Sequence, residues 1–279
     1  MIRIGKYNEM RIARFVEFGA YLVDADDPSG KEILMPGKYL DDRMVVGDQV
    51  KVFVYPDSED RLVATTEVPF AQVGEFAFLQ VVQVNRIGAF LDWGLAKNLL
   101  CPFSEQKVKM HEGGIYLVYV FLDDASGRVV ASARINKFLG NVPAEYRRGQ
   151  KVSALVYGRN EIGFKAIVDN LHKGLIYDNE LFRPVEIEEV LTTYVKGVRP
   201  DGKIDLTLTM PGTANRVERV AESIMSRIEA GGFSLTDNST PEEIKDVMHC
   251  SKKDFKKAVG MLYKAKRITV TPEGKLLKA

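Results

Sequence analysis

Cysteine, histidine and tryptophan are scarce in this chain: two, three and one among 279 residues. Two lone thiols, Cys101 and Cys250, do not make a disulfide scaffold and suit a reducing compartment. His111, His172 and His249 stand far apart and share no metal-ligand spacing with the cysteines, so no metal site is expected. Long apolar runs are missing too. The longest, Ile115 to Leu122, falls far short of the roughly 20 residues of a membrane helix. Met1 to Lys6 holds no apolar signal-peptide core. The expectation is a soluble, cytoplasmic protein that does not span a membrane. Charge of one sign is not in excess: 39 Lys and Arg face 38 Asp and Glu. That argues against coating nucleic acid by bulk charge and leaves room for a local basic face. There is no phosphate-cradling glycine loop and no nucleophile elbow. The carboxylate pairs Asp26-Asp27, Asp41-Asp42 and Asp123-Asp124 fall in turns, where they are most often solvated. Neither catalysis nor a cofactor is expected.

What the chain does contain is a repeat, which has to be found before any other assignment is made. Arg86-Ile87-Gly88-Ala89-Phe90-Leu91-Asp92-Trp93 roughly alternates apolar and polar residues around a glycine. Such alternation indicates a half-buried strand, and the interior glycine a bend or a close backbone approach. An earlier copy is Phe18-Gly19-Ala20-Tyr21-Leu22-Val23-Asp24. A degraded later one is Ile162-Gly163-Phe164-Lys165-Ala166-Ile167-Val168-Asp169. Each copy sits within five short apolar runs separated by turn residues. In the first, strands are expected at Met10 to Phe15, Phe18 to Val23, Ile33 to Met35, Val50 to Val54 and Arg61 to Thr65. Pro36-Gly37 closes the third strand there, and Pro102 closes Leu99-Leu100-Cys101 in the second copy. In the third copy, Pro200-Asp201-Gly202 turns between Val190 to Val198 and Ile204 to Thr209. Five strands with such turns suggest a small barrel or sandwich.

After Pro211-Gly212 the period becomes helical, with Val217, Val220, Ala221, Ile224 and Ile228 on one face. Gly231-Gly232 ends that helix. Thr240-Pro241-Glu242-Glu243 reads as a cap, a proline at the first helical position and a glutamate at the third. Ser251 caps a further helix carrying Phe255, Val259, Leu262 and Tyr263 inward. Ile268 to Thr271 and Leu276-Leu277 form a hairpin. Three helices and a hairpin are the plan of a winged helix, an α+β variant of the helix-turn-helix. The expected division is 1–66, 67–135 and 149–212 for three all-β barrels, 136–148 for a linker, and 213–279 for the winged helix. One helical turn is expected from Pro143-Ala144-Glu145-Tyr146 in the linker.

The repeat resembles the S-one-type RNA-binding domain, a five-stranded barrel of the oligonucleotide-binding (OB) type. Phe18-Gly19-Ala20-Tyr21 with Asp57 and Arg61 carry the likeness in the first copy. Ile87-Gly88-Ala89-Phe90 with Asp123 and Arg128 carry it in the second. Ile162-Gly163-Phe164, Gly174-Leu175-Ile176-Tyr177, Asp201 and Lys203 carry it in the third. Three such barrels followed by a winged helix resemble, over essentially the whole chain, the virulence factor B family of bacterial RNA-binding regulators. Barrels of this type often carry a histidine on strand three that points at RNA; Met35, Cys101 and Tyr177 align there. The resemblance implies a regulatory role in bacterial gene expression with a link to virulence.

Single-stranded nucleic acid is held by rings for its bases and cations for its backbone. Side chains alternate along a barrel strand, so Phe90 and Asp92 share one face while Ala89, Leu91 and Trp93 share the other. Phe90 is expected outward near Arg128, with Leu91 in the core. Phe18 and Tyr21 are expected near Arg61. Phe164, Tyr177 and Lys203 complete the barrel set. In the terminal helix Lys252, Lys253, Lys256 and Lys257 fall opposite Phe255 and Val259, where they can neutralise phosphates. The reading is a non-enzymatic protein of single-stranded RNA. Its rivals are a duplex-DNA transcription regulator led by the winged helix, a protein-interaction scaffold with degenerate barrels, and a nuclease or nuclease subunit.

Overall fold

The computed structural model describes residues 1–27, 29–181, 183–209, 216–231 and 233–279. The Met210 end of the third repeat, the Pro211-Gly212 break, the 212/213 boundary and Gly232 lie outside the described residues. The chain divides into two compact units, Met1–Phe138 and Leu139–Ala279.

The first unit holds two closed barrels. Strands β1 (Lys6–Val16), β2 (Gly19–Asp24), β3 (Ile33–Pro36), β4 (Gln49–Pro56) and β5 (Leu62–Thr65) close in the order β1-β2-β3-β5-β4. Strands β6 (Phe76–Val84), β7 (Gly88–Leu91), β8 (Leu99–Pro102), β9 (Ile115–Leu122) and β10 (Val129–Ser132) repeat that order. The second unit opens with a third barrel of the same order. It comprises β11 (Lys151–Asn160), β12 (Gly163–Val168), β13 (His172–Tyr177), β14 (Val190–Val198) and β15 (Ile204–Thr207). The first strands run longer than their apolar patterns suggested, since the ladder with strand four continues to their first residues. The strand-five runs from Arg61 and to Thr209 are trimmed to Leu62–Thr65 and Ile204–Thr207.

The repeated glycine has one physical reason. A Cβ on Gly19, Gly88 or Gly163 would lie 2.2, 2.3 or 2.1 Å from the carbonyl oxygen of Met35, Cys101 or Ile176. Strand three passes so close to strand two that no side chain fits between them. Each first strand also carries a bulge, between Ile12 and Arg14, Val81 and Gln83, and Val156 and Gly158. Such bulges add the bend that closes a small barrel.

Inside the barrels, the inward positions are kept while the residues that occupy them are not. The first two barrels place Ala20, Leu22 and Ile33, or Ala89, Leu91 and Leu99, at matching inward positions. The third places Phe164, Ala166 and Gly174 there. One large ring replaces two branched side chains, and Val168 and Leu206 close over the room beside Gly174, with methyl carbons 2.7 and 2.8 Å from where its Cβ would lie; an interior stays filled when neighbours move into the space a small residue leaves.

The first two barrels are joined through rings. Phe53 and Tyr55, on β4 of the first barrel, pack edge-on against Trp93 with centroids 5.8 and 6.1 Å apart. The Trp93 indole donates to Lys97 O at 2.6 Å. Lys97 Nζ in turn donates to the carbonyls of Pro56 at 3.2 Å and Asp57 at 2.6 Å. Burying each ring contributes about 1.5–3 kcal/mol. The exposed charge pairs around the joint add far less, so the rings hold it and the charges orient it.

In the second unit, residues 143–146 form no helical turn. Tertiary contacts decide their conformation: His172 Nε2 donates to Val142 O at 2.9 Å, and Nδ1 accepts from the Tyr146 hydroxyl at 3.1 Å. Helices α1 (Arg216–Glu229), α2 (Pro241–Met248) and α3 (Lys252–Lys264) follow, then the hairpin β16 (Ile268–Val270) and β17 (Leu276–Lys278). Thr240 and Glu243 form the full capping box of α2, and Ser251 caps α3. Phe255, Ala258 and Leu262 pack against Val220, Ile224 and Ile244 in one core. A bridge from Thr236 to Lys275 adds a third edge to the hairpin, completing a winged helix.

Candidate nucleic-acid interface

Equivalent positions in the barrels can be matched by register. Tyr21, Phe90 and Lys165 point outward from strand two. Opposite them on strand one stand Arg14, Gln83 and Gly158. Just before strand two, Phe18, Ile87 and Ile162 are 60%, 50% and 51% exposed. The end of strand three is Pro36, Pro102 and Tyr177, each paired with the conserved-in-place glycine of strand two.

That register corrects the alignment of strand three by one residue. Tyr177 corresponds to Pro36 and Pro102, not to Met35 and Cys101. A shift of one residue exchanges the faces of a strand, and Met35 and Cys101 are indeed fully buried core. Phe164 is a second correction. It occupies the inward position of Ala20 and Ala89 and is only 6% exposed. Its partner above is Arg159, 4.8 Å from the ring centroid. It offers an apolar floor rather than an open face for a base.

The cations are also distributed differently. The guanidinium over Tyr21 is Arg14, 4.1 Å from the ring centroid, not Arg61. Arg61 instead meets Asp57 at 2.8 Å and Glu59 at 2.9 Å. Arg128 is turned to Asp60 of the first barrel, with Nε donating to Oδ1 at 2.9 Å, rather than to Phe90. Phe90 itself is half-buried between the fully buried Ala89 and Leu91, as alternation requires. Lys203 pairs with Asp201 at 2.7 Å. On α3, Lys253, Lys256 and Lys257 are exposed and Lys252 is half-buried. Lys256 stands 3.8 Å from Asp237, while Lys253 and Lys257 form no ion pair among the described residues.

The third barrel gathers a group that sequence reasoning missed. The turn before strand five begins at Asp57, Asp123 and Arg199, since each N–H bonds the carbonyl of Arg61, Arg128 or Lys203. The third barrel thus has an arginine where the others have an acid. Arg199 Nε donates to Asp205 at 2.7 Å, and its Nη2 reaches the Tyr177 hydroxyl. That hydroxyl also donates to Asp205 at 3.3 Å. Lys196 lies 5.8 Å and Arg199 5.7 Å from the Tyr177 ring centroid. The signal available in sequence was the spacing from the turn to strand five, hidden because Asp201 offered a more obvious acid.

Tyr177 opens into a cleft of about 710 Å³ within the second unit. Arg159, Asp178 and Arg183 line it from the barrel side, and Lys245, His249 and Ser251 from the winged helix. Arg159 pairs with Asp178 at 3.2 Å and Arg183 with Glu189 at 2.6 Å. Such exposed pairs are worth little, so an incoming phosphate can take over their cations. Charge follows the same division: Met1–Phe138 has 16 Lys and Arg against 19 Asp and Glu, and Leu139–Ala279 has 23 against 19. No helix among the described residues is long and apolar enough to cross a membrane, and no group of three potential ligands gathers for a metal ion.

Three barrels of oligonucleotide-binding topology and a winged helix define a protein built from nucleic-acid-binding modules. Residues 4–67 match the S1 domain, and residues 222–277 match the CvfB-like winged helix domain. The chain resembles the virulence factor B family along nearly its whole length. It is 25% identical over 254 residues to conserved virulence factor B of Staphylococcus aureus (strain USA300), covering 87% of this chain and 84% of that one. It is 26% identical over 275 residues to YitL of Bacillus subtilis (strain 168), covering 94% and 90%. A multidomain protein with nucleic acid binding domains from Streptococcus pneumoniae shares 22% identity over 99% of this chain and 98% of that one. The TM-score of 0.42 is too low for that likeness to bear on function.

Proposed function

We propose that this is a non-enzymatic, cytoplasmic RNA-binding protein that holds single-stranded RNA and regulates bacterial gene expression after transcription. The observation that carries the reading is the cleft of the second unit. It combines one available ring, Tyr177, with cations from both the barrel and the winged helix. Unpaired bases need a ring to stack on, and a phosphate chain needs cations spaced along a groove. Phe18, Tyr21 and Phe90 extend the set of rings, and Lys253 and Lys257 extend the cations. Several weak sites on one chain raise the total affinity. The link to virulence follows from the relatives' name.

Duplex DNA is the second reading, favoured by the exposed lysines of α3. In a winged helix the first residues of the recognition helix usually enter the major groove. Here the α3 cap, Ser251, lines the cleft that faces the third barrel, which favours an unpaired strand. The test is a titration of the full chain with labelled homopolymer RNAs, followed by competition with duplex DNA. RNA binding that weakens with salt and resists duplex competitor is expected. Displacement by equimolar duplex would favour the DNA reading, and no binding at low salt would favour a protein scaffold.

A further inference from the structure

His249 stands in the cleft but has no part in the ring-and-cation set. It closes α2 from the left-handed region, φ 51° and ψ 31°, with its N–H donated to Lys245 O. Glycine or asparagine is the usual residue there, because a larger side chain is strained. Charged groups face it from every neighbouring element. They are Arg227 on α1, Lys245 and Asp246 on α2, Arg159 on β11 with Glu161 just after it, and Asp178 and Arg183 after β13. Burial disfavours its charged form, and Arg227 adds to this, against Asp246. The imidazole pKa therefore lies below its ordinary value.

We propose that His249 is a phosphate-contacting residue of the cleft that takes up a proton when RNA binds. The proposal rests on the reading of the cleft as an RNA site. A permanent cation at this position would be repelled by Arg159 and Arg227 while the cleft is empty. A neutral imidazole avoids that repulsion. A phosphodiester oxygen supplies the missing counter-charge and favours the protonated ring. Linkage is reciprocal: if binding raises the pKa of His249, acid strengthens binding. The gain appears as pH falls from the bound-state pKa to the lower free-state pKa, and levels off below both. One proton allows at most about tenfold per pH unit.

The probe is an oligouridylate of about 12 nucleotides, because neither uracil nor the phosphodiester protonates near neutral pH. Affinity of the full chain should rise about threefold or more from pH 8 to about pH 5.5. His249→Asn suits the left-handed backbone and cannot take the proton. It should remove most of that rise, so that the ratio of affinities at about pH 5.5 and pH 8 falls towards one. The NMR titration midpoint of His249 should move upward when RNA is added. An equal rise in both proteins, no rise in the native chain, or an unmoved midpoint overturns the proposal and leaves the RNA reading standing. Absence of binding at every pH overturns both.

Discussion

Replacing Tyr177 by proline removes the ring of the third barrel while keeping its backbone. Tyr177 has φ −71° and ψ 145°, close to −55° and 146° at Pro36 and −59° and 153° at Pro102. Proline fixes φ near −65°, so it fits. The two equivalent prolines pair with Gly19 and Gly88 as Tyr177 pairs with Gly163, so this register tolerates the loss of the N–H. Arg199 keeps its bond to Asp205, so the neighbouring cation stays in place. What disappears, besides the hydroxyl's bonds to Arg199 and Asp205 that Tyr177→Phe removes on its own, is one stacking surface, worth about 1–3 kcal/mol per base. That corresponds to a Kd about five- to 150-fold weaker. Fluorescence anisotropy with labelled single-stranded RNA reads the affinity, and thermal melting verifies the fold. Tyr177→Phe should keep most of the affinity. An intact Tyr177→Pro protein that binds within about twofold of the native one would show that no base rests on this ring.

The other expectations concern the first unit. Gly88→Ala puts a Cβ 2.3 Å from the Cys101 carbonyl oxygen and 2.9 Å from Pro102 Cα, both backbone atoms that cannot swing aside. Urea unfolding should show a loss of about 3 kcal/mol or more, and an unchanged midpoint would contradict the close approach. Arg128→Ala should lower the melting temperature of the first unit and leave RNA affinity within about twofold; a large loss of affinity would return Arg128 to the interface. Burial pushes the Cys101 thiol up to about 11. Iodoacetamide at about pH 8 should therefore leave it unmodified until urea is added, since the thiolate is the reactive form. Rapid native labelling of Cys101 would refute its enclosure.

The barrels were legible because their constraint is local and repeated. A glycine needed for close approach leaves a mark at one residue, and Gly19, Gly88 and Gly163 display it three times. The capping box at Thr240 was legible for the same reason. What remained hidden depends on partners distant in sequence. Arg128 looks like a free cation until Asp60, 68 residues away, is seen beside it. Arg199 could not be found because its role follows from the pairing of β14 with β15. Phe164 reads as a motif ring, yet the registers with β11 and β13 set it inward. Strand-three alignment slipped by one residue at Tyr177, since a short apolar run carries no marker of its phase.

The interior exchange in the third barrel restricts what its repeats can trade. Phe164 stands two residues before Ala166 on the inward face, while the room left by Gly174 is taken by Val168 and Leu206, whose methyl carbons lie 2.7 and 2.8 Å from where its Cβ would be. Moving the phenylalanine alone into the first barrel would force it against Leu22 and Ile33. Recombination between the copies would have to carry strand five along with strands two and three, because Leu206 fills the room that Gly174 leaves.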